Sequence, residues 1–223
     1  PIVDKPEDAI LPSETRKLLK TLAEKDGYKV GIVSGRMLED VKKRVGLENL
    51  YYAGNHGLEL SGPDINFIHP KAQEGIVSIL EISENLKNKL SSVEGVIVEN
   101  KILTLSIHYR LAPPDMVRLI EQIVLEETSS LQQINLTYGK KVIEVRPAVD
   151  WDKGKAVDFL IKRVAPESLP IYVGDDRTDE DAFMQLSRGV TILVRSAPTQ
   201  TNAKYYLKNT DDVKELLKRL ASL

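Results

Sequence analysis

Hydrophobic positions change their spacing several times along the chain, and each change marks an element. Leu18, Leu19 and Leu22 stand at helical spacing behind Pro12-Ser13-Glu14-Thr15, which predicts an amphipathic helix closed at Gly27. Tyr28–Val33 is a short apolar run, read as a strand that enters Ser34-Gly35-Arg36. Met37–Val45 returns to helical spacing, and Leu50–Ala53 is the next strand, entering Gly54-Asn55-His56-Gly57. Strand, helix and strand in alternation predict a parallel sheet covered by helices.

The spacing changes near residue 62. Gly62-Pro63-Asp64 predicts a hairpin turn, and residues 73–90 a helix. Gly95–Val98 and Leu103–Tyr109 follow as alternating runs around Asn100-Lys101. Pro113-Pro114 opens a helix to about Thr128, and Gln133–Tyr138 with Val142–Val145 makes a second hairpin around Gly139-Lys140. The first style resumes after Pro147. Asp152 caps a predicted helix over Lys153–Val164. Ile171–Val173 reads as a buried strand, Asp179–Leu186 as a helix, Val190–Val194 as a strand and Thr210–Leu220 as the last helix. The expected architecture is an α/β core with a Rossmann-like parallel sheet, formed by residues 1–71 and 147–223. Residues 72–146 form an inserted α+β cap of helix, hairpin, helix, hairpin.

Composition changes this picture mainly by exclusion. The 223 residues are 42% hydrophobic and 29% charged, which suits a packed core with an ordinary charged surface. A net charge of −2 speaks against nucleic acid as a partner. With no cysteine there is no disulfide framework, thiolate nucleophile or thiolate metal site, and a reducing compartment such as the cytoplasm is expected. No apolar run reaches the roughly 18 residues that span a bilayer, so no membrane is expected. The first residues, Pro1-Ile2-Val3-Asp4-Lys5-Pro6, lack the apolar stretch of a signal peptide. They also lack an initiator Met, which suggests a piece of a longer chain.

Candidate chemistry lies at three strand ends. Gly174-Asp175-Asp176-Arg177-Thr178-Asp179-Glu180-Asp181 follows directly on a strand, where ligands sit in doubly wound sheets. Five carboxylates within seven positions repel one another unless a cation offsets them, and Mg²⁺ prefers one or two carboxylates with water and phosphate oxygens. The alternative for Glu180 and Asp181 is that they only favour a helix's first turn. Ser34-Gly35-Arg36, a hydroxyl and backbone N–H groups at a strand end, suits a phosphate, although Ser before Gly is also an ordinary helix cap. Lys153 opposes the macrodipole at a helix start, which invites a role in neutralising phosphate; the alternative is a solvated lysine, and Lys155 fits that better.

These elements, in this order, resemble the haloacid dehalogenase superfamily of phosphatases. Gly54-Asn55-His56-Gly57, His108-Tyr109-Arg110, Glu144-Val145-Arg146-Pro147, Asp152-Lys153-Gly154 and the acidic loop through Phe183 resemble one branch, the trehalose-6-phosphate phosphatases. The resemblance implies hydrolysis of trehalose 6-phosphate with Mg²⁺. Ser34, Gly35, Arg36, Asn55 and His56 would meet the substrate's phosphate side, and Lys153 would neutralise charge. Asp175 would bind the metal, supported by Asp176 and Asp179. Glu99, Lys101, His108, Arg110, Glu144 and Arg146 on the cap would meet the sugar. If these lie on strands, Glu99 and Lys101 share a face, as do His108 and Arg110, and Glu144 and Arg146.

The family's nucleophile motif, Asp-x-Asp-Gly-Thr, does not occur among the 223 residues. In the family a segment like Pro1-Ile2-Val3 follows that motif, so the motif is expected before Pro1. Asp4 and Asp8 lie in loop-like sequence and do not replace it. A fragment without both aspartates would lose the aspartyl-phosphate route and bind Mg²⁺ less tightly. Other sugar phosphates (sucrose phosphate, a glucosyl- or mannosyl-phosphoglycerate) and a non-catalytic sugar-phosphate-binding domain remain alternatives. Fusion to, or association with, a trehalose-phosphate synthase is the expected protein partnership.

Overall fold

A computed structural model of the chain describes residues 9–197 and 199–223; Asp4 and Asp8 lie outside the described residues. Those residues form two compact units, one of Ala9–Phe67 with Trp151–Leu223 and one of Ile68–Asp150.

In the first unit, β1 (Gly31–Val33) runs parallel to β2 (Tyr51–Gly54) with Ile32 opposite Tyr52. Their crossover is α2 (Leu38–Val45), which stops at Gly46 in a left-handed cap. β3 (Glu59–Gly62) and β4 (Ile65–Ile68) extend this sheet in the order β1-β2-β3-β4, β3 running antiparallel to β2. A second, parallel sheet has the order β11-β10-β9, with β9 at Ile171–Gly174, β10 at Val190–Val194 and β11 at Tyr205–Leu207.

Helix α6 (Lys153–Val164) connects the packing of both sheets. Its cap, Asp152, accepts a hydrogen bond from the Lys155 N–H at 2.8 Å. Ala156 and Leu160 pack with Tyr51, Ala53 and Leu60, whereas Val157 packs with Tyr172, Phe183 and Leu193. Val33, at the end of β1, touches both clusters. Helices α1 (Ser13–Ala23), α7 (Glu180–Gln185) and α8 (Thr210–Ser222) complete the unit. Strand β11 has no counterpart in the sequence reading. It is three residues long with two exposed tyrosines, and only its pairing with β10 makes it a strand.

In the second unit, the helix expected over 73–90 is two helices, α3 (Pro70–Glu74) and α4 (Ile76–Lys89), divided at Gly75. With α5 (Val117–Thr128) they cover an antiparallel sheet ordered β5-β6-β8-β7: Ile97–Asn100, Leu105–His108, Val142–Pro147 and Ile134–Gly139. Leu105, Ile107, Ile143 and Val145 pack on Ile79, Ile82, Leu86, Ile120 and Val124. Side chains alternate across a strand, so the residues between them form the opposite, polar face. No helix among the described residues is long and apolar enough to cross a membrane.

Candidate active site

The first turn of α6 gathers the three chemistry-bearing segments of the first unit. Trp151 donates from Nε1 to the Gly57 carbonyl at 2.8 Å. Gly57 has φ +94°, and a Cβ there would stand 2.3 Å from the Ala156 methyl, so only glycine permits this approach. Gly35 packs against the His56 ring, and the His56 N–H donates to the Ser34 carbonyl at 2.9 Å. On the other side, Lys153 Nζ donates to Asp179 Oδ1 at 2.9 Å, both side chains being buried.

Asp179 is the clamp of the acidic loop. Its Oδ1 also accepts from the Tyr172 hydroxyl at 2.8 Å, and its Oδ2 accepts from the N–H groups of Asp175 (3.0 Å) and Asp176 (2.9 Å). Burial alone would raise its carboxyl, but the adjacent Lys153 ammonium and these hydrogen bonds hold it below the usual range. Gly174 lies under that carboxylate: a Cβ there would meet Asp179 Cγ at 2.5 Å. Asp176 caps the following turn, its Oδ1 accepting from the Arg177 N–H at 2.7 Å. Glu180 turns away, accepting from Thr201 Oγ1 at 2.6 Å and the Asn202 N–H at 2.8 Å.

These contacts distinguish the carboxylates of the expected metal set. Asp179 has both oxygens committed to the loop and to Lys153, and Asp176 has one committed to its cap. Among the described residues, no three His, Asp or Glu side chains are arranged to hold a metal ion. Asp175 and Asp176 both face solvent, and Asp176 is the one that caps the turn. Partial burial of the Asp175 carboxyl, and then the negative charges of Asp179 and Asp176, raise it above the usual range. A carboxylate crowded in this way is relieved by a cation. One such ligand, with water and phosphate oxygens, suits Mg²⁺.

The phosphate-side residues separate into two groups. Ser34 Oγ accepts from the Arg36 N–H at 3.1 Å, which leaves its own O–H to donate. The Arg36 guanidinium bonds Asp40 at 2.9 Å, and Arg44 holds the same carboxylate at 2.8 Å. Asn55 is fully buried, and its amide donates to Glu59 Oε1 at 2.7 Å, the same oxygen that accepts from the Leu38 N–H at 2.7 Å. Asn55 and His56 both adopt positive φ, 47° and 57°. Gly-Asn-His-Gly is thus a tightly folded tie between β2 and α2, and Asn55 acts as its structural anchor.

On the second unit, the polar face forms a row. Pairing places Glu99 opposite Ser106, Ser106 opposite Glu144, and Glu144 opposite Thr137. His108 Nε2 lies 2.8 Å from Glu99 Oε2, and Lys101 Nζ donates to Glu144 Oε1 at 3.0 Å. Arg146, two residues beyond Glu144 on β8, lies on the same face opposite Asn135. Lys101 and Arg110 stand just beyond the ends of β5 and β6, so the condition of lying on a strand does not apply to them. Arg110 donates to the Lys140 carbonyl at 3.3 Å, at the hairpin end of the sheet. Lys101 reaches the row through its turn. Tyr172, Glu59 and Ser106 were missed. For Ser106 the signal was available, because it alternates with His108 in a strand otherwise apolar.

The pattern of the trehalose-phosphatase family matches residues 1–211. The chain belongs to the trehalose-phosphatase family. Probable trehalose-phosphate phosphatase D of Arabidopsis thaliana is 38% identical over 236 residues, which take in 99% of this chain and 63% of that protein. This trehalose-phosphatase chain therefore spans a little under two thirds of that relative's length. The C-terminal domain of Candida albicans trehalose-6-phosphate phosphatase superposes with a TM-score of 0.82 at 26% identity, covering 100% of this chain and 88% of that one. A trehalose-6-phosphate phosphatase related protein shares the fold with a TM-score of 0.87 at 24% identity, covering 100% and 92%. The α/β fold of the haloacid dehalogenase type, expected from the motifs, is the fold of this chain.

Proposed function

We propose that the complete protein hydrolyses the phosphate ester of trehalose 6-phosphate. The observation that carries this reading is the buried Lys153–Asp179 pair at the start of α6, beside a loop that leaves Asp175 open. The helix N-terminus and the ammonium together make this turn the place for a phosphoryl group. Asp179 holds Lys153 in one orientation, so that little rearrangement is needed as negative charge develops. The Ser34 hydroxyl donates to a phosphoryl oxygen. Asp175 holds Mg²⁺, which when bound supplies further charge neutralisation. The attacking carboxylate and the acid/base carboxylate are those of the family's Asp-x-Asp-Gly-Thr, which is not among the 223 residues. On the second unit, Glu99, Lys101, His108, Glu144 and Arg146 provide the alternating donors and acceptors that sugar hydroxyls require. Cytoplasmic location, and fusion to or association with a trehalose-phosphate synthase, belong to the same reading.

Phosphate release by the complete protein tests it. Trehalose 6-phosphate should be turned over with a kcat/KM at least about tenfold above sucrose phosphate, glucosyl-phosphoglycerate and mannosyl-phosphoglycerate. Equal or slower turnover of trehalose 6-phosphate rejects it.

A further inference from the structure

Lys101 is almost fully buried at 4% exposure although it lies in a turn, and the turn is an unusual one. The next residue, Ile102, has φ +69°. The Leu103 N–H donates to the Lys101 carbonyl at 2.8 Å, closing a three-residue γ-turn with Ile102 at its centre. A β-branched residue is the poorest choice for this conformation, which glycine adopts without strain and asparagine with less strain than isoleucine. Neighbouring contacts hold it there. The Ile102 N–H donates to Asn100 Oδ1 at 2.8 Å, and the Lys101 N–H donates to the Thr104 carbonyl at 2.9 Å. Burial does not explain the isoleucine, because its side chain is 53% exposed. The strain is thus kept at a position where packing gains little, and strain of this kind concentrates where a side chain has work to do.

The surroundings indicate that work. Lys101, Glu144, Ser106 and Glu99 form the polar row and can engage hydroxyls only. The apolar residues on the same face, Ile97 and Val142, pair with His108 at the other end. A pyranose ring carries hydroxyls at its rim and C–H groups on its faces. A site that recognises it needs both hydrogen-bonding groups and an apolar surface.

We propose that Ile102 is a specificity-determining residue. The γ-turn displays its side chain beside Lys101, where it packs against the C–H face of the sugar that the polar row engages. This rests on the sugar-phosphatase reading above.

The test compares Ile102→Gly and Ile102→Asn, which relieve the backbone, with Ile102→Val, which retains the branched side chain, all in the complete protein. For the first two, KM for trehalose 6-phosphate should rise about three- to tenfold with kcat within about twofold of the parent. An aryl phosphate, which lacks the sugar ring, should show no such rise. Melting temperatures should equal or exceed the parent's, and Ile102→Val should stay within about twofold of the parent KM. A KM unchanged in folded Gly and Asn variants, or an equal loss on both substrates, overturns the proposal. If those variants melt below the parent, Ile102→Ala, which keeps the backbone preference but removes the contact, decides by the same comparison. The parent is assayed first. If it does not act on trehalose 6-phosphate, the functional reading itself fails; if it does and the variants match it, only the role of Ile102 fails.

Discussion

At the residue scale, the informative contrast is between two aspartates four positions apart. Asp179 and Asp175 are both acidic side chains of one loop, yet the fold treats them oppositely. Asp179 is depressed by Lys153 and its hydrogen bonds, so its charge stabilises the folded state. That contribution is present above the unfolded carboxyl value near 4 and is lost as pH falls through the lower folded value. Replacing it leaves Lys153 buried without its partner. Asp179→Asn should cost about 3 kcal/mol at neutral pH in urea titration, and the variant's stability should fall less steeply than the parent's in acid. A loss under about 1 kcal/mol would remove Asp179 as the clamp. Asp175 is raised, so its ionised form works against the metal-free fold. Asp175→Asn should therefore leave metal-free stability unchanged or higher at pH 7. It should also abolish turnover and the rise in melting temperature that added Mg²⁺ gives the parent. A rise that persists in the variant would exclude Asp175 as the ligand.

At the element scale, the polar face of the β5-β6-β8-β7 sheet is the unit to which the proposed function assigns the sugar. Glu144 accepts from both Lys101 and Ser106, and His108 meets Glu99, so each side chain is set by a neighbour on another strand or in the turn beside it. Glu144→Ala and His108→Ala should raise KM for trehalose 6-phosphate several-fold while an aryl phosphate is spared, as initial-rate assays would show. Equal losses on both substrates would assign these residues to stability. Alternation along β8 was readable from the chain: Glu144 and Arg146, expected on one face, lie two residues apart on that strand. Lys101 falls in the turn around Asn100-Lys101 that the chain predicted, but the run expected to begin at Leu103 pairs only from Leu105, and the turn is held by side-chain and γ-turn hydrogen bonds that hydropathy does not record. The edge strand β11 escaped for a related reason: it exists through its pairing with β10 rather than through local spacing.

At the scale of the whole molecule, each unit has its own core. The Leu105, Ile107, Ile143 and Val145 cluster draws its buried members from residues 79–145, whereas α6 packs with the sheets of the first unit. Ile107→Ala should therefore destabilise the second unit by about 2–5 kcal/mol. Hydrogen exchange should quicken in β5–β8 and leave α6 unchanged; a uniform change in both would show a single cooperative unit. The chain by itself determined the order of most elements, the helix over Lys153–Val164 with Lys153 at its start, the strand-end positions of Ser34 and Asp175, and the family. These rest on local spacing, caps and turn residues, which are written in consecutive positions. Only the tertiary structure decided which aspartate of the acidic loop is committed and which is open, that Asn55 is a buried tie, and that Ile102 is held in a strained turn beside Lys101. Each of those depends on which donor from a distant segment reaches which acceptor, and residue spacing carries no information about that.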